Sequence, residues 1–490
     1  MSLTLFNTLG RELQVFKPIA AGKVGFYGCG PTVYNYAHIG NLRAYVLHDV
    51  LVRTLRRMGF AVTHVMNITD VGHLSGDTDD GDDKMVRSAQ ERGKSVLEVA
   101  EFYARAFFND TRRLHITPPT VICRATEHID EMIGLIKRIE AKGFTYSAAG
   151  NLYFDITKFP RYGDLARLRL GDLKAGARTG VDENKRNPQD FVLWFTKSKF
   201  ENQALVWESP WGTGYPGWHI ECSAMSIKYL GETFDIHAGG IDHVAIHHTN
   251  EIAQSEAATG RHPWVNYWVH NEFLVLDRGK MSKSSGGFLT LQSLVDAGYD
   301  PLDYRYFLLG GHYRSQLQFS YQALESARNA RKSLMDRIMD KAASLGAGPL
   351  PEPEPKALES LSQSKAGTYI ESFNKAMEDD LSTPRGLAEL WGLLRDSDSS
   401  PQEALLGAFD MDRVLGLNLA AEAERRRSPP VPDELKDEIE RLVAERARAK
   451  RDKDFAAADR IRETLKNKGV TVEDRPGGTV WRCEGQASQS

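Results

Sequence analysis

An α/β fold on a parallel sheet, assembled from two separated halves and followed by a long helical region, is what this sequence predicts. Three observations carry that reading. Residues 22–70 run strand, helix, strand: Val24–Tyr27, a helical pattern from about Asn41 to Met58 stopped by Gly59, and the β-rich Ala61–Ile68. The alternation returns over 218–269, after an intervening stretch that lacks it. From Pro301 to about Leu417 the pattern is almost wholly helical. Strand–helix–strand implies a parallel pair, because parallel strands need a long crossover.

Composition sets the outer limits. A chain of 490 residues exceeds one compact core, so two to four domains are expected. With 41% hydrophobic and 26% charged residues it reads as soluble and globular, and no apolar run reaches transmembrane length. The N-terminus lacks the basic and apolar regions of an export signal. Cys29, Cys123, Cys222 and Cys483 are too widely separated to resemble a disulfide framework, so a reducing cytoplasm is expected. The net charge of −4 argues against a general nucleic-acid coat but leaves room for a local basic groove.

Taken in order, the first strand leads into Cys29-Gly30-Pro31 and then His38-Ile39-Gly40-Asn41, which opens the first helix. Gly72–Asp83 is an acidic loop without the ligand spacing of an EF-hand. Residues 84–145 read as two or three amphipathic helices; Val96, Val99, Phe102, Tyr103 and Phe107 share one face, and Ile129, Met132, Ile133, Ile136 and Ile139 another. Short strands at Asn151–Asp155 and Phe191–Phe195 flank a polar stretch, and the block reads as an insertion. The second half follows as Trp218–Ile220, helix Ser223–Leu230, strand Phe234–Ala238, helix His247–Ala258 and strand Tyr267–Val269, with a basic loop at Gly279–Gly286. Arg425–Pro432 reads as a linker. Beyond it come two helices, with Leu435, Ile439, Leu442 and Val443 on one and Phe455, Ala458, Ile461 and Leu465 on the other, and then a hairpin around Pro476-Gly-Gly.

Three groups of residues carry candidate chemistry. Cys29 ends the first strand, Cys222 precedes a helix, and His247 and Glu251 are four apart on one helical face. On spacing alone each has an ordinary reading, as small buried hydrophobe, core histidine or surface glutamate, and that reading is favoured. Two thiolates, an imidazole and a carboxylate would nevertheless suit Zn²⁺ at ~2.0–2.3 Å and could leave room for a substrate thiolate. His38-Ile39-Gly40-Asn41 stands at a helix N-terminus, where free amides attract phosphate. Lys280, Ser282, Lys283 and Ser284 sit on a glycine-bounded loop that could close over a polyphosphate.

The chain as a whole resembles a class I aminoacyl-tRNA synthetase, and within that class the cysteinyl-tRNA synthetases. The resemblance rests on Tyr27–Tyr34, His38–Asn41, Asn67–Asp70, Gly176–Arg178, Lys185–Pro188, Asp190–Trp194, Pro210–Gly212, Pro216–Met225, Phe234–His237, His247–Gln254 and Lys280–Ser284. It implies a Rossmann-like class I synthetase catalytic domain with an inserted connective domain, a helical bundle and a small C-terminal α+β domain. The implied divisions are 1–84 and 201–319 for the two catalytic halves, 85–200 for the insertion, 320–424 for a helical bundle binding tRNA and 425–490 for an anticodon-binding domain.

The resemblance also implies roles. Cys29, Cys222, His247 and Glu251 match the family's ligands to one Zn²⁺ per chain. Thr69, Trp218 and His237 match positions lining the amino-acid pocket. His38, Gly40 and Asn41 match the first ATP signature, and Lys280, Ser282, Lys283 and Ser284 the second; His38, Asn41, Lys280 and Lys283 are the expected catalytic set. The implied substrates are L-cysteine, ATP with Mg²⁺, and tRNA(Cys). A monomer with no membrane partner and no separate editing domain is expected. Three departures stand out: Asn41 where histidine is common, Ser285-Gly-Gly after the second signature, and no aromatic-proline pair before His247.

Overall fold

The computed structural model describes residues 2–71, 94–167, 183–196, 205–276, 289–346, 348–427, 433–452, 454–475 and 478–483. The chain divides into two compact units, one of residues 1–331, 368–391 and 413–417, the other of 332–367, 392–412 and 418–490.

The first unit opens with an antiparallel pair, β1 (Thr4–Asn7) and β2 (Glu12–Val15). β3 (Lys23–Gly28), α1 (Ile39–Arg57) and β4 (Ala61–Ile68) then form the expected βαβ unit, with Tyr27 opposite Val65. Helix α2 (Val96–Arg113) buries Val96, Val99, Tyr103 and Phe107 as its periodicity requires. The sequence reading expected only helices over 84–145, but Val121–Arg124 is a strand, β5, pairing in parallel with β4. Four residues between two strongly helical segments carry too little period-2 signal to reveal a strand. Helix α3 (Ile129–Ala141) follows, burying Ile129, Met132, Ile133, Ile136 and Ile139.

Strands β6 (Thr145–Ala148), β7 (Asn151–Phe154), β8 (Phe191–Phe195) and β9 (Tyr215–Pro216) make a separate antiparallel sheet. The α/β pattern resumes with α4 (Trp218–Leu230), β10 (Phe234–Gly240), α5 (His247–Thr259) and β11 (Val265–Asn271). Trp218–Ile220 is the first turn of α4, so Cys222 lies inside that helix. The central sheet has the order β11-β10-β3-β4-β5, all parallel. The chain therefore runs outward in both directions from the β3/β10 boundary. That boundary is a topological switch point, where the carboxyl ends of the strands leave a crevice.

Arg305, in the helix Pro301–Leu309, is fully buried; it meets Asp49 Oδ2 at 2.6 Å and donates to the carbonyls of Leu415 and Leu114 at 2.7 and 2.9 Å. A guanidinium in that position has no water to fall back on. Arg305→Leu is expected to lower unfolding stability by about 2–4 kcal/mol, because it removes the donor of two carbonyls and leaves Asp49 to Arg53 and the Thr117 N–H. Chemical denaturation measures it, and an unchanged midpoint would contradict this account.

In the second unit the helices Asp433–Arg451 and Phe455–Asn467 and the hairpin Val470–Arg475/Gly478–Cys483 pack through buried Ile439, Leu465 and Val470. Phe455, expected on the inner face, is 63% exposed at the helix start, one turn before the buried Ala458. The expected linker begins later than Arg425, because the helix Leu419–Arg427 runs on to Arg427. Arg446, in the first of these helices, is buried. No helix among the described residues is long and apolar enough to cross a membrane.

Candidate active site at the sheet switch point

Two loops leave the sheet side by side. After β3 the chain turns through Cys29-Gly30-Pro31, and after β4 through Thr69-Asp70. They are sewn together by Gly30 N–H to Asn67 Oδ1 (2.8 Å), Thr69 N–H to the Pro31 carbonyl (3.1 Å) and Val33 N–H to the Thr69 carbonyl (3.2 Å). Cys29 N–H donates to the Ala238 carbonyl at 3.1 Å, tying the loop to β10. A cavity of about 560 Å³ opens there; Cys29, Thr69, Trp218, Cys222 and His247 line one part of it, and His38, Gly40 and Asn41 another.

Cys29, Cys222, His247 and Glu251 are all buried, with one donor atom from each lying within 4.8 Å of the others. The i, i+4 spacing works as expected: His247 Nε2 is 3.1 Å from Glu251 Oε1 on the first turns of α5. The two thiols are in hydrogen-bond contact. Hydrogen bonding to Cys222, and then burial, push the Cys29 thiol up. The same hydrogen bond, with help from His247 and against burial, brings Cys222 down to about 7. Burial opposes charge on His247, but Cys222 and Glu251 overcome it and raise it to about 10. Burial likewise opposes ionisation of Glu251, and the imidazoles of His237 and His247 overcome it, bringing it to about 2. Four ionisable groups thus shift one another within one buried cluster.

The donor set fits a soft divalent cation. Glu251 Oε1 is buried with no aligned hydrogen-bond donor, a costly state for a carboxylate oxygen unless a cation faces it. Two sulfurs, a nitrogen and an oxygen in one small volume suit Zn²⁺.

Outer partners hold these side chains. His247 Nδ1 lies 2.9 Å from His219 Nδ1, and the Trp218 ring packs 4.9 Å from that of His247. His237 Nε2 lies 2.9 Å from Glu251 Oε2; the ring is fully buried behind the carboxylate and is not part of the cavity wall. Thr69 Oγ1 donates to the buried Glu221 Oε2 at 3.1 Å and accepts from Asn67 Nδ2 at 3.0 Å. The sequence reading missed His219, Glu221, His248 and Asn67. His219 could have been found from its place one helical turn before Cys222.

His38, also in the cavity wall, caps α1. His38 Nδ1 accepts from Asn41 N–H at 3.1 Å, and Asn41 Oδ1 accepts from His38 N–H at 3.2 Å. Asn41 therefore closes a reciprocal capping box with its amide oxygen, which gives the departure from histidine a structural role. Burial lowers the pKa of His38. Gly40 leaves space that a Cβ would fill 3.0 Å from the His38 ring. One turn on, Arg43 donates to the carbonyls of Glu272 and Phe273 at 2.7 Å and of Ser315 at 2.6 Å. It thereby anchors α1 to the strand Leu274–Leu276, which precedes the second signature. Lys280, Ser282, Lys283 and Ser284 themselves lie outside the described residues.

A doubly wound sheet whose switch-point crevice joins a capped His38–Asn41 turn to a sulfur-rich donor set defines a class I aminoacyl-tRNA synthetase, and residues 15–329 match the family described as tRNA synthetases class I (C) catalytic domain. Residues 432–482 match the cysteinyl-tRNA ligase anticodon binding domain. Cysteine–tRNA ligase from Treponema denticola is 58% identical over 98% of this chain and 100% of its own length. The Treponema pallidum (strain Nichols) enzyme of the same name is 47% identical over 98% of this chain and 100% of its own. A solved structure of Mycobacterium tuberculosis methionyl-tRNA synthetase bound by methionyl-adenylate is similar in fold, with a TM-score of 0.53 and 16% identity over 82% of this chain and 91% of that one. The chain belongs to the cysteine–tRNA ligase family.

Proposed function

We propose that this protein activates L-cysteine with ATP and transfers it to the 3′-terminal ribose of tRNA(Cys). The observation that carries the reading is one cavity bordered both by the Cys29, Cys222, His247 and Glu251 donor set and by the capped His38–Asn41 turn. In the first step the cysteine carboxylate attacks the α-phosphorus of ATP, which enters with Mg²⁺, and pyrophosphate leaves. In the second, a terminal ribose hydroxyl of the tRNA takes the cysteinyl group and AMP departs. Both steps depend on positioning and on stabilising charge. One bound Zn²⁺ would hold the substrate sulfur as thiolate and discriminate against serine, which offers only a hydroxyl.

The chain's own residues do the rest. His38, Gly40 and Asn41 receive the nucleotide phosphates at the start of α1, and Lys280, Ser282, Lys283 and Ser284 close over them as charge builds on the leaving pyrophosphate. Thr69 and Trp218 border the amino acid, with His237 holding Glu251 from behind. Residues 1–84 and 201–319 form the catalytic halves around a connective insertion at 85–200. Residues 320–424 and 425–490 carry the tRNA body and anticodon. The working state is a cytoplasmic monomer with no membrane partner.

Cysteine-dependent exchange of pyrophosphate into ATP without tRNA, followed by charging of tRNA(Cys), is the expected pair of results. Absence of exchange would refute the reading. Exchange without charging would point instead to a ligase that passes activated cysteine to a small amine acceptor.

A further inference from the structure

Beside the His38–Asn41 turn, the cavity wall is built by Asn271–Leu274, where the chain leaves β11. Leu274 Cβ lies 3.9 Å from where a Cβ on Gly40 would stand, so the turn and this wall come close together. The gap between them is the space left for the nucleotide. Its width is not fixed by the central sheet, because the wall leaves β11 at Asn271.

Arg43 joins the two sides. It lies on α1 two residues after Asn41, is buried, and is not part of the cavity wall. Its Nη1 donates to the carbonyls of Glu272 and Phe273, both at 2.7 Å, and its Nη2 to those of His312, Tyr313 and Ser315 at 3.2, 3.3 and 2.6 Å. All five of these partners are backbone carbonyls, drawn from two chain segments. The segments also bond each other, Glu272 N–H to the Tyr313 carbonyl at 2.9 Å and Leu317 N–H to the Phe273 carbonyl at 3.1 Å. The second is fixed from behind: Asp380 accepts from the Tyr313 hydroxyl and from Arg314 Nε at 2.5 Å each, and from Phe6 N–H at 2.9 Å. A planar guanidinium, with donors forking in two directions, suits the task of holding two backbone segments from one helix. The turn has ties of its own, Ile39 N–H to the Leu289 carbonyl at 2.8 Å and the Tyr304 hydroxyl to the Ile39 carbonyl at 2.7 Å. Loss of the Arg43 fork therefore frees the wall rather than the turn.

We propose that Arg43 sets the width of the gap between the His38–Asn41 turn and the Asn271–Leu274 wall, and is thereby a positioning residue for ATP. It touches no substrate, and its effect reaches the nucleotide through the wall it holds. The proposal rests on the reading of His38–Asn41 as the phosphate site. Its physical content is preorganisation: a wall that must be ordered as the ligand arrives takes that cost from the binding free energy. Cysteine meets the cavity at Thr69 and Trp218, to which Arg43 makes no hydrogen bond.

Cysteine-dependent pyrophosphate exchange by the full-length protein tests this. Arg43→Lys keeps the charge but gathers its donors at one point, so it cannot fork across two segments. It is expected to raise KM for ATP about 10-fold, while KM for cysteine and zinc content stay within about 2-fold of the wild type. Tyr313→Phe releases the second segment from Asp380 without touching α1 and is expected to raise KM for ATP about 3-fold. A folded Arg43→Lys with the wild-type KM for ATP would overturn the proposal. So would parallel rises in KM for ATP and for cysteine, which is what a merely structural role gives. Where Arg43→Lys does not fold, an unchanged KM for ATP in Tyr313→Phe overturns it instead. A wild type without any exchange would refute the proposed function, and the role of Arg43 with it.

Discussion

Cys222→Ser is expected to release zinc and to reduce cysteine-dependent pyrophosphate exchange by about 10³-fold or more, while ATP binding stays near its original strength. Serine is close in volume, so helix α4, buried from His219 to Ser226, should hold its place. What changes is the ligand. Its hydrogen bond with Cys29 holds the Cys222 thiol below its ordinary range. A hydroxyl cannot take its place as an anionic soft ligand at neutral pH. Loss at that point leaves the carboxylate of Glu251 and the Cys29 sulfur facing each other in a dry site, which penalises any metal that remains. A site built around one substrate group loses roughly 10⁴–10⁵ in discrimination when that contact goes. The proposed nucleotide contact, His38–Asn41, is on a different helix of the cavity wall from Cys222. Zinc content by elemental analysis and exchange kinetics with cysteine check both halves. A Cys222→Ser protein that keeps one zinc per chain and wild-type exchange would remove the donor set from the mechanism.

The second large effect is expected at Gly30. A Cβ there would stand 1.6 Å from the Asn67 carbonyl oxygen, and backbone cannot swing aside as a flexible side chain can. The demand is for space, since Gly30 is not among the glycines with positive φ. Separating the two loops would move Cys29 and Thr69 together, because Gly30 N–H binds Asn67 Oδ1 and Asn67 Nδ2 binds Thr69 Oγ1. A displacement of about 1 Å at reacting groups costs on the order of 10²-fold in rate. Gly30→Ala should therefore lower kcat/KM for cysteine by about 100-fold and also lower the unfolding midpoint. Gly134→Ala, in helix α3 with nothing near its Cβ position, is the control: activity unchanged, stability equal or slightly higher. Equal activity in both variants would show that the loop seam does not position the site.

Much of this architecture is legible without coordinates. The 3.6-residue stripe of α3 and the β-rich run Ala61–Ile68 are local signals, and each element formed where its period predicted. The i, i+4 relation of His247 and Glu251 is likewise a property of any helix. β5 was not legible, because its four residues become a strand only by pairing with β4. Nor was the spatial meeting of Cys29 with residues of α4 and α5, which motif resemblance implied but no spacing rule could supply.

By itself, then, the sequence determined the strand–helix alternation, the helix start at His38–Asn41 and the kinds of ligand that could gather. Only the tertiary structure decided that the two halves meet at the β3/β10 switch point. Only it set His237 behind Glu251 rather than in the cavity wall, and lined up Thr8, His270 and His248 behind Cys29. The reason is one of range. Periodicity and capping act over a few residues, whereas the Thr8–His270 contact joins groups 262 positions apart and exists only once the sheet has brought them together.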